Sequence, residues 1–261
     1  PVTGVISPAS LVRYAAVHKF LLRLRHVIME LQAVWSDMGT MRRGCGFRTR
    51  AQGDTAWLPP NVWAFYHLAL HFITSLEGYL SVQVQHACYS SLLASVLHHC
   101  HSVADLRAAH EQYTRMLLNR CFLTDPCAAQ PLTGAEQYRA LLFQGGATQI
   151  THVLRLILAF CRQVRAFMSL AVLAAEERTK AERTRGTVAG SADIGVPSLT
   201  SALPAEAMKL GAVVLDTHRR FKGVVASMMA SFTSMSVQGG GFAHLDDLLA
   251  RLHANDYYKR L

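Results

Sequence analysis

Carboxylates are the scarce resource of this chain: 17 Asp and Glu stand against 26 Lys and Arg in 261 residues, leaving a formal charge of +9. Two of the acids, Asp246 and Asp247, are adjacent. In a helix neighbouring side chains diverge by about 100°, a poor arrangement for paired acid–base work. Other catalytic signatures are also missing. There is no GxSxG nucleophile turn, and the glycine runs GTVAG and QGGGF lack the Lys-Ser/Thr of a phosphate loop. His67 and His71 share a helix face at the spacing of a zinc pair, but residues 68–70 are Leu-Ala-Leu, without the glutamate of HExxH. The run HHCH, His98 to His101, has no second ligand pair at conventional spacing. Cys121 and Cys127 are too far apart for CxxC. No enzyme, metal site or cofactor is expected.

Period-two alternation over five or more residues is absent, which excludes a sheet as the organising element. Uncharged apolar runs of about 18 residues are also missing, so no membrane span is expected. No secretory signal precedes Cys88, Cys121 and Cys161, which lie in apolar helical patterns and read as buried thiols of a cytosolic protein. The first residue is Pro1, not methionine, and the chain is read as a piece of a longer one.

What is present is helix. Half the residues are hydrophobic, enough for a core. Val17, Leu21, Leu24, Ile28, Leu31 and Trp35 alternate spacings of four and three, widened by Phe20, Val27 and Val34; Lys19, Arg23 and Arg25 fall elsewhere on that cylinder. Ser10, after Pro8, is the expected cap. A second stripe runs through Val62, Tyr66, Ala69, Ile73, Leu76 and Leu80, continuing to about Leu97 with an irregularity near Ser81 to Gln85. Ser102 to Asp105 reads as a capping box opening a helix with Leu106, His110, Tyr113 and Leu117 on one face, stopped by Thr124-Asp-Pro126. Two more stripes follow: Ile150, Leu154, Ile157, Cys161, Val164 and Met168, then Val214, His218, Phe221, Val225, Met228, Phe232 and Met235. The glycine- and proline-broken stretches near 39–60 and 183–204 are expected to be flexible loops. The fold class is therefore all-α: an elongated bundle of about six or seven helices, several of them long, forming one domain over residues 1–261.

Three pieces, in order, carry a resemblance: KFLLRLRHVIMELQAVW, then VADLRAAHEQYTRMLLNRCFL, then LLARLHANDYY near the C-terminus. They resemble the C-terminal domain of the gamma-tubulin complex proteins. That family shows a run like F-L-L-R-L-K-R, a central A-A-H before a helix ending R-C-x-L, and a closing R-L-D-F-N-x-x-Y. Here these correspond to Phe20 to His26, to Ala108-Ala109-His110 through Arg120-Cys121-Phe122-Leu123, and to Arg251-Leu252 with Asn255 and Tyr258. His253 and Ala254 stand where the family often has Asp and Phe. The AAH and RCFL pieces and the charged AAEERTKAERTRG are most similar to the third subunit type.

The resemblance implies a non-enzymatic module that captures gamma-tubulin and helps template microtubule nucleation at a microtubule-organising centre or spindle pole. An N-terminal half would hold sister subunits of the complex. A +9 charge suits an acidic partner of this kind. Arg, Tyr and Trp are common interface anchors, and the expected contacts with gamma-tubulin are Arg42, Arg43, Arg107, His110, Arg120, Asn255, Tyr257 and Tyr258. Tyr257 and Tyr258 are expected to pack on the bundle with one edge towards the partner. Arg120 has a second reading, as a cation at its own helix C-terminus. The alternative function is a basic helical domain associated with nucleic acid, although no reader motif is present. A third is a small zinc enzyme built on His67, His71 or His98 to His101.

Overall fold

The computed structural model describes residues 4–44, 60–125, 134–186, 205–237, 242, 244–254 and 258; some helical side chains, including those at 42–44 and 134–144, are outside the description. The described residues form an all-α helical bundle without strands. The elements are α1 (Pro8–Gly44), α2 (Pro60–Leu80), a π-helical segment (Ser81–Cys88), α3 (Tyr89–His98), α4 (Val103–Arg120), α5 (Gly134–Gly186), α6 (Ala205–Val237) and α7 (His244–His253). The π-helical segment occupies the stretch where the apolar spacing becomes irregular. Because α2, that segment and α3 are continuous, the chain makes six helical rods among the described residues.

Three stripes are buried as their spacing predicts. The α2 series Val62, Tyr66, Ala69, Ile73, Leu76 and Leu80 is core, as are the α5 series from Ile150 to Met168 and the α6 series from Val214 to Met235. In α1 the buried ridge is rotated. Leu21 is 37% and Trp35 47% exposed, while Phe20, Leu24, Val27, Leu31, Val34 and Met38 are buried. A four-three spacing describes several parallel ridges on one cylinder, and contacts with neighbouring helices choose among them. Met38 is buried, and α1 continues through Gly44, into the stretch expected to be a loop. Residues 45–59 lie outside the described residues. Likewise α5 extends through Gly186, and 187–204 lie outside.

The cap of α1 is Ser7, not Ser10. The Ser10 amide donates to the Ser7 hydroxyl at 3.2 Å, and the Leu11 amide bonds the Ser7 carbonyl at 3.2 Å. Pro8 then occupies the first helical position, where its missing N–H costs nothing. The box at α4 forms as its sequence predicts: the Asp105 amide donates to the Ser102 hydroxyl at 3.1 Å, and the Ser102 amide to the Asp105 carboxylate at 2.9 Å. Hydrogen bonds to its carboxylate, from the Ser102 side chain first and then from the His101 and Ser102 amides, hold the Asp105 carboxyl below its usual range.

The chain divides into two compact units. Unit 2, Val27–Ala69 with Arg155–Phe221, centres on Phe65, whose ring lies 4.3 Å from Phe160, 5.0 Å from Phe221 and 5.2 Å from a stacked His218. His218 is thus a core histidine. Arg165 of α5 bonds both Glu30 and Asp37 of α1, the latter at 3.2 Å. Unit 1 comprises Pro1–His26, Leu70–Leu154 and Lys222–Leu261. It holds α3, α4, α7 and most of the expected site.

The helical stretch Gly145–Leu173, with mean hydropathy 1.7, is long and apolar enough to cross a membrane by length and composition, although Arg155, Arg162 and Arg165 interrupt it, so it is not an uncharged run. Its Ile150, Val153, Leu154, Ile157, Phe160, Cys161 and Val164 are buried in the protein core, while Arg155 and Arg162 are exposed, the pattern of a core helix.

Candidate partner-binding surface

The site is built around α4. Its C-terminus closes in a Schellman turn: the Leu123 amide donates to the Leu118 carbonyl at 2.9 Å and the Phe122 amide to the Asn119 carbonyl at 3.0 Å. The left-handed position of such a turn normally takes glycine. Here it is Phe122, at φ 57°. Tertiary contact holds it there, because the Phe122 ring stacks on Phe232 at 5.2 Å and lies 5.6 Å from Tyr79. The helix therefore ends at Arg120, four residues before the stop expected at Thr124.

Arg120 is tied inward. Its guanidinium donates to the Gln83 side-chain oxygen in the π-helical segment. The Gln83 amide reaches Asp247 of α7 at 3.4 Å, and Asp247 pairs with Arg251 at 3.0 Å. The Arg120 carbonyl, one of the orphan acceptors of the helix end, receives the Tyr79 hydroxyl at 3.0 Å. Burial drives the Tyr79 phenol far above its usual range, although Arg120 opposes the shift. Gly78 leaves room for this network, since a Cβ there would lie 2.9 Å from an Arg251 guanidinium nitrogen.

Arg107, near the other end of α4, is exposed, with a long 3.6 Å pairing to Glu111. His110 is half-buried and meets the Tyr14 hydroxyl at 2.9 Å through Nε2; its buried Nδ1 has no hydrogen-bond partner among the described residues. Burial lowers the His110 pKa, with Glu111 pulling the other way. Arg107 and His110 share one end of α4, whereas Arg120 is about 20 Å further along the axis. Tyr258 is buried, its ring 5.4 Å from His71. Arg42 and Arg43 fall in the last turn of α1, with side chains outside the description. Asn255 and Tyr257 lie outside the described residues. The structure thus brings Arg107 and His110 together and separates Arg120 from them.

Sequence reasoning missed Tyr14, Gln83, Asp125 and Asp247. Arg13 is buried and paired to Asp125 at 2.9 Å, with Thr114 at 3.5 Å. The Arg13–Asp125, Tyr14–His110, Arg120–Gln83 and Gln83–Asp247 contacts join residues distant in the chain, so no spacing signals them.

No group of three or more His, Cys, Asp or Glu among the described residues is placed to hold a metal ion. Burial pushes the Cys121 and Cys161 thiols up to about 12 and raises Cys88, which makes them poor nucleophiles. In unit 2 an open cleft of about 320 Å³ is lined by Met41, Met168 and Val172 together with Arg165 and Asp37. Both of those charges are already paired to each other.

The chain matches the family described as gamma tubulin complex component C-terminal over residues 1–258. It belongs to that family. No curated protein matches it. Membership ties the chain to a role in gamma-tubulin complexes, within a family of structural components. The same membership associates it with the cytoplasmic microtubule cytoskeleton and its organising centres. In this gamma tubulin complex component domain, the AAH piece supplies the His110 partner of Tyr14, and RCFL is the Schellman turn itself.

Proposed function

We propose that the chain is a non-enzymatic module that captures gamma-tubulin within a gamma-tubulin complex and so helps template microtubule nucleation. The observation that carries this reading is the family match across residues 1–258. The charge of +9 supports it, because long-range attraction raises the on-rate for an acidic partner. Sister subunits of the complex are the further partners, and microtubule-organising centres or spindle poles the place of action. The AAH and RCFL pieces favour the third subunit type.

The contact is proposed to include the exposed Arg107 end of α4, with Arg42 and Arg43 as further basic contacts and His110 at its margin. Arg120 and Tyr258 act by shaping the domain, Arg120 through Gln83 and Tyr258 through its packing on His71. Asn255 and Tyr257 complete the candidate set.

The test is sedimentation of purified residues 1–261 with purified gamma-tubulin at two salt concentrations, with alpha/beta-tubulin and duplex DNA as controls. Selective one-to-one binding, weakened by Arg107→Glu at unchanged helicity, supports the reading. A folded, monodisperse chain that ignores gamma-tubulin and binds DNA replaces it with a nucleic-acid role.

A further inference from the structure

The first half of α1 has two faces. Inward, Arg13, Val17, Phe20 and Leu24 are buried, and Arg13 and Tyr14 are bonded to Asp125 and His110, so the helix is held firmly in unit 1. Outward, the spacing four-three-four aligns Leu11, Ala15, His18 and Leu22 in a ridge opposite the buried one. Leu11 is 60% and Leu22 56% exposed. Single exposed leucines are ordinary, but two on a ridge flanked by exposed Val12 and Leu21 make a patch.

The charge that α1 itself carries along this patch has one sign. Lys19 and Arg23 lie along one flank and Arg25 along the other, all exposed and without an ion pair or hydrogen bond among the described residues. No carboxylate occurs in α1 before Glu30. Several cations on other helices do have acidic partners: Arg107 and Arg115 share Glu111, Arg165 has Glu30 and Asp37, and Arg220 has Asp216. A narrow ridge with Leu11, Ala15 and Leu22 around a single His18, set between unpaired cations, has the layout of one half of a two-helix contact, with its charged flanks awaiting the opposite sign.

We propose that this outward ridge of α1 is a docking surface for an acidic amphipathic helix of a protein partner. The partner helix lays an apolar stripe on Leu11 and Leu22 and sets carboxylates against Lys19, Arg23 and Arg25. A lipid surface fits less well. Helices that lie in a membrane interface present a broad apolar face, with aromatic residues common on it, whereas Phe20 here is buried and the ridge is narrow. The proposal stands apart from the gamma-tubulin reading, because its test contains no tubulin.

The probe is a synthetic fluorescein-labelled peptide with leucines at four-three spacing flanked by glutamates, titrated with residues 1–261 and read by anisotropy. The expected result is binding at least about tenfold tighter than that of a scrambled peptide of equal composition. Leu11→Asp with Leu22→Asp abolishes it at unchanged helicity. Charge reversal at Lys19, Arg23 and Arg25 also removes it and transfers preference to a lysine version of the peptide. Arg219→Glu, at an exposed position of α6, leaves it unchanged. Equal binding of the scrambled peptide, or retention by the aspartate variants, overturns the proposal. Binding of phosphatidylserine vesicles in place of the patterned peptide also overturns it, in favour of a lipid surface.

Discussion

The Tyr79 hydroxyl donates to the Arg120 carbonyl at 3.0 Å, so a side chain of α2 caps the C-terminus of α4. The donor is fully buried, and the ring also lies against Phe122. Tyr79→Phe keeps the ring and removes the bond. We expect a loss of about 1–2 kcal/mol, measured as a shift of the urea midpoint at constant slope. An unchanged midpoint would show that water caps the carbonyl equally well.

Phe122 sits at φ 57°, a conformation costing a side chain roughly 1–2 kcal/mol, and is retained for its packing on Phe232. Phe122→Ala keeps the backbone strain and loses the ring, so it should cost about 3–5 kcal/mol. Phe122→Gly loses the same ring but relieves the strain, and should be about 1 kcal/mol more stable than the alanine variant. The order of the two variants in denaturant unfolding checks the argument. Alanine above glycine would contradict it.

Gly145 and Gly146 are adjacent in α5 and should respond oppositely to alanine. A Cβ at Gly145 meets nothing within 4 Å, whereas one at Gly146 collides with the Phe232 ring. Gly145→Ala gains helix propensity worth up to about 1 kcal/mol. Gly146→Ala gains the same propensity but must displace a buried ring, and overpacking typically costs about 1–3 kcal/mol. Thermal melts of the two variants should therefore move in opposite directions.

Burial lowers the His110 pKa below the usual value of about 6.5, partly offset by Glu111. Between the folded and unfolded pKa the unfolded chain binds more protons, so stability rises with pH there. The contribution is present above about pH 6.5 and is lost as pH falls from there towards the folded pKa. His71, lowered by burial, acts in the same sense. His110→Gln should flatten the fall in melting temperature between about pH 7.5 and about pH 5.5. A slope equal to that of the unaltered chain would place the pH sensitivity elsewhere.

Sequence alone determined the helices and most of their buried faces. Stripes such as Ile150 to Met168 and Val214 to Met235 follow from 3.6-residue periodicity, a local property written in consecutive residues. The Ser102–Asp105 cap was legible for the same reason, since its bonds span three residues. The candidate residues on α4 were legible as residue types at named positions, but their roles were not. Arg107 and Arg120 look alike in the sequence; one is exposed at its end of the helix and the other is bonded to Gln83, 37 residues earlier. Tertiary structure alone decided which ridge of α1 is buried, why Phe122 occupies a position that normally takes glycine, and that His110 meets Tyr14 from 96 residues away. Each of these depends on which surfaces meet once the chain has folded, and a helical period records the faces that are available without recording their neighbours.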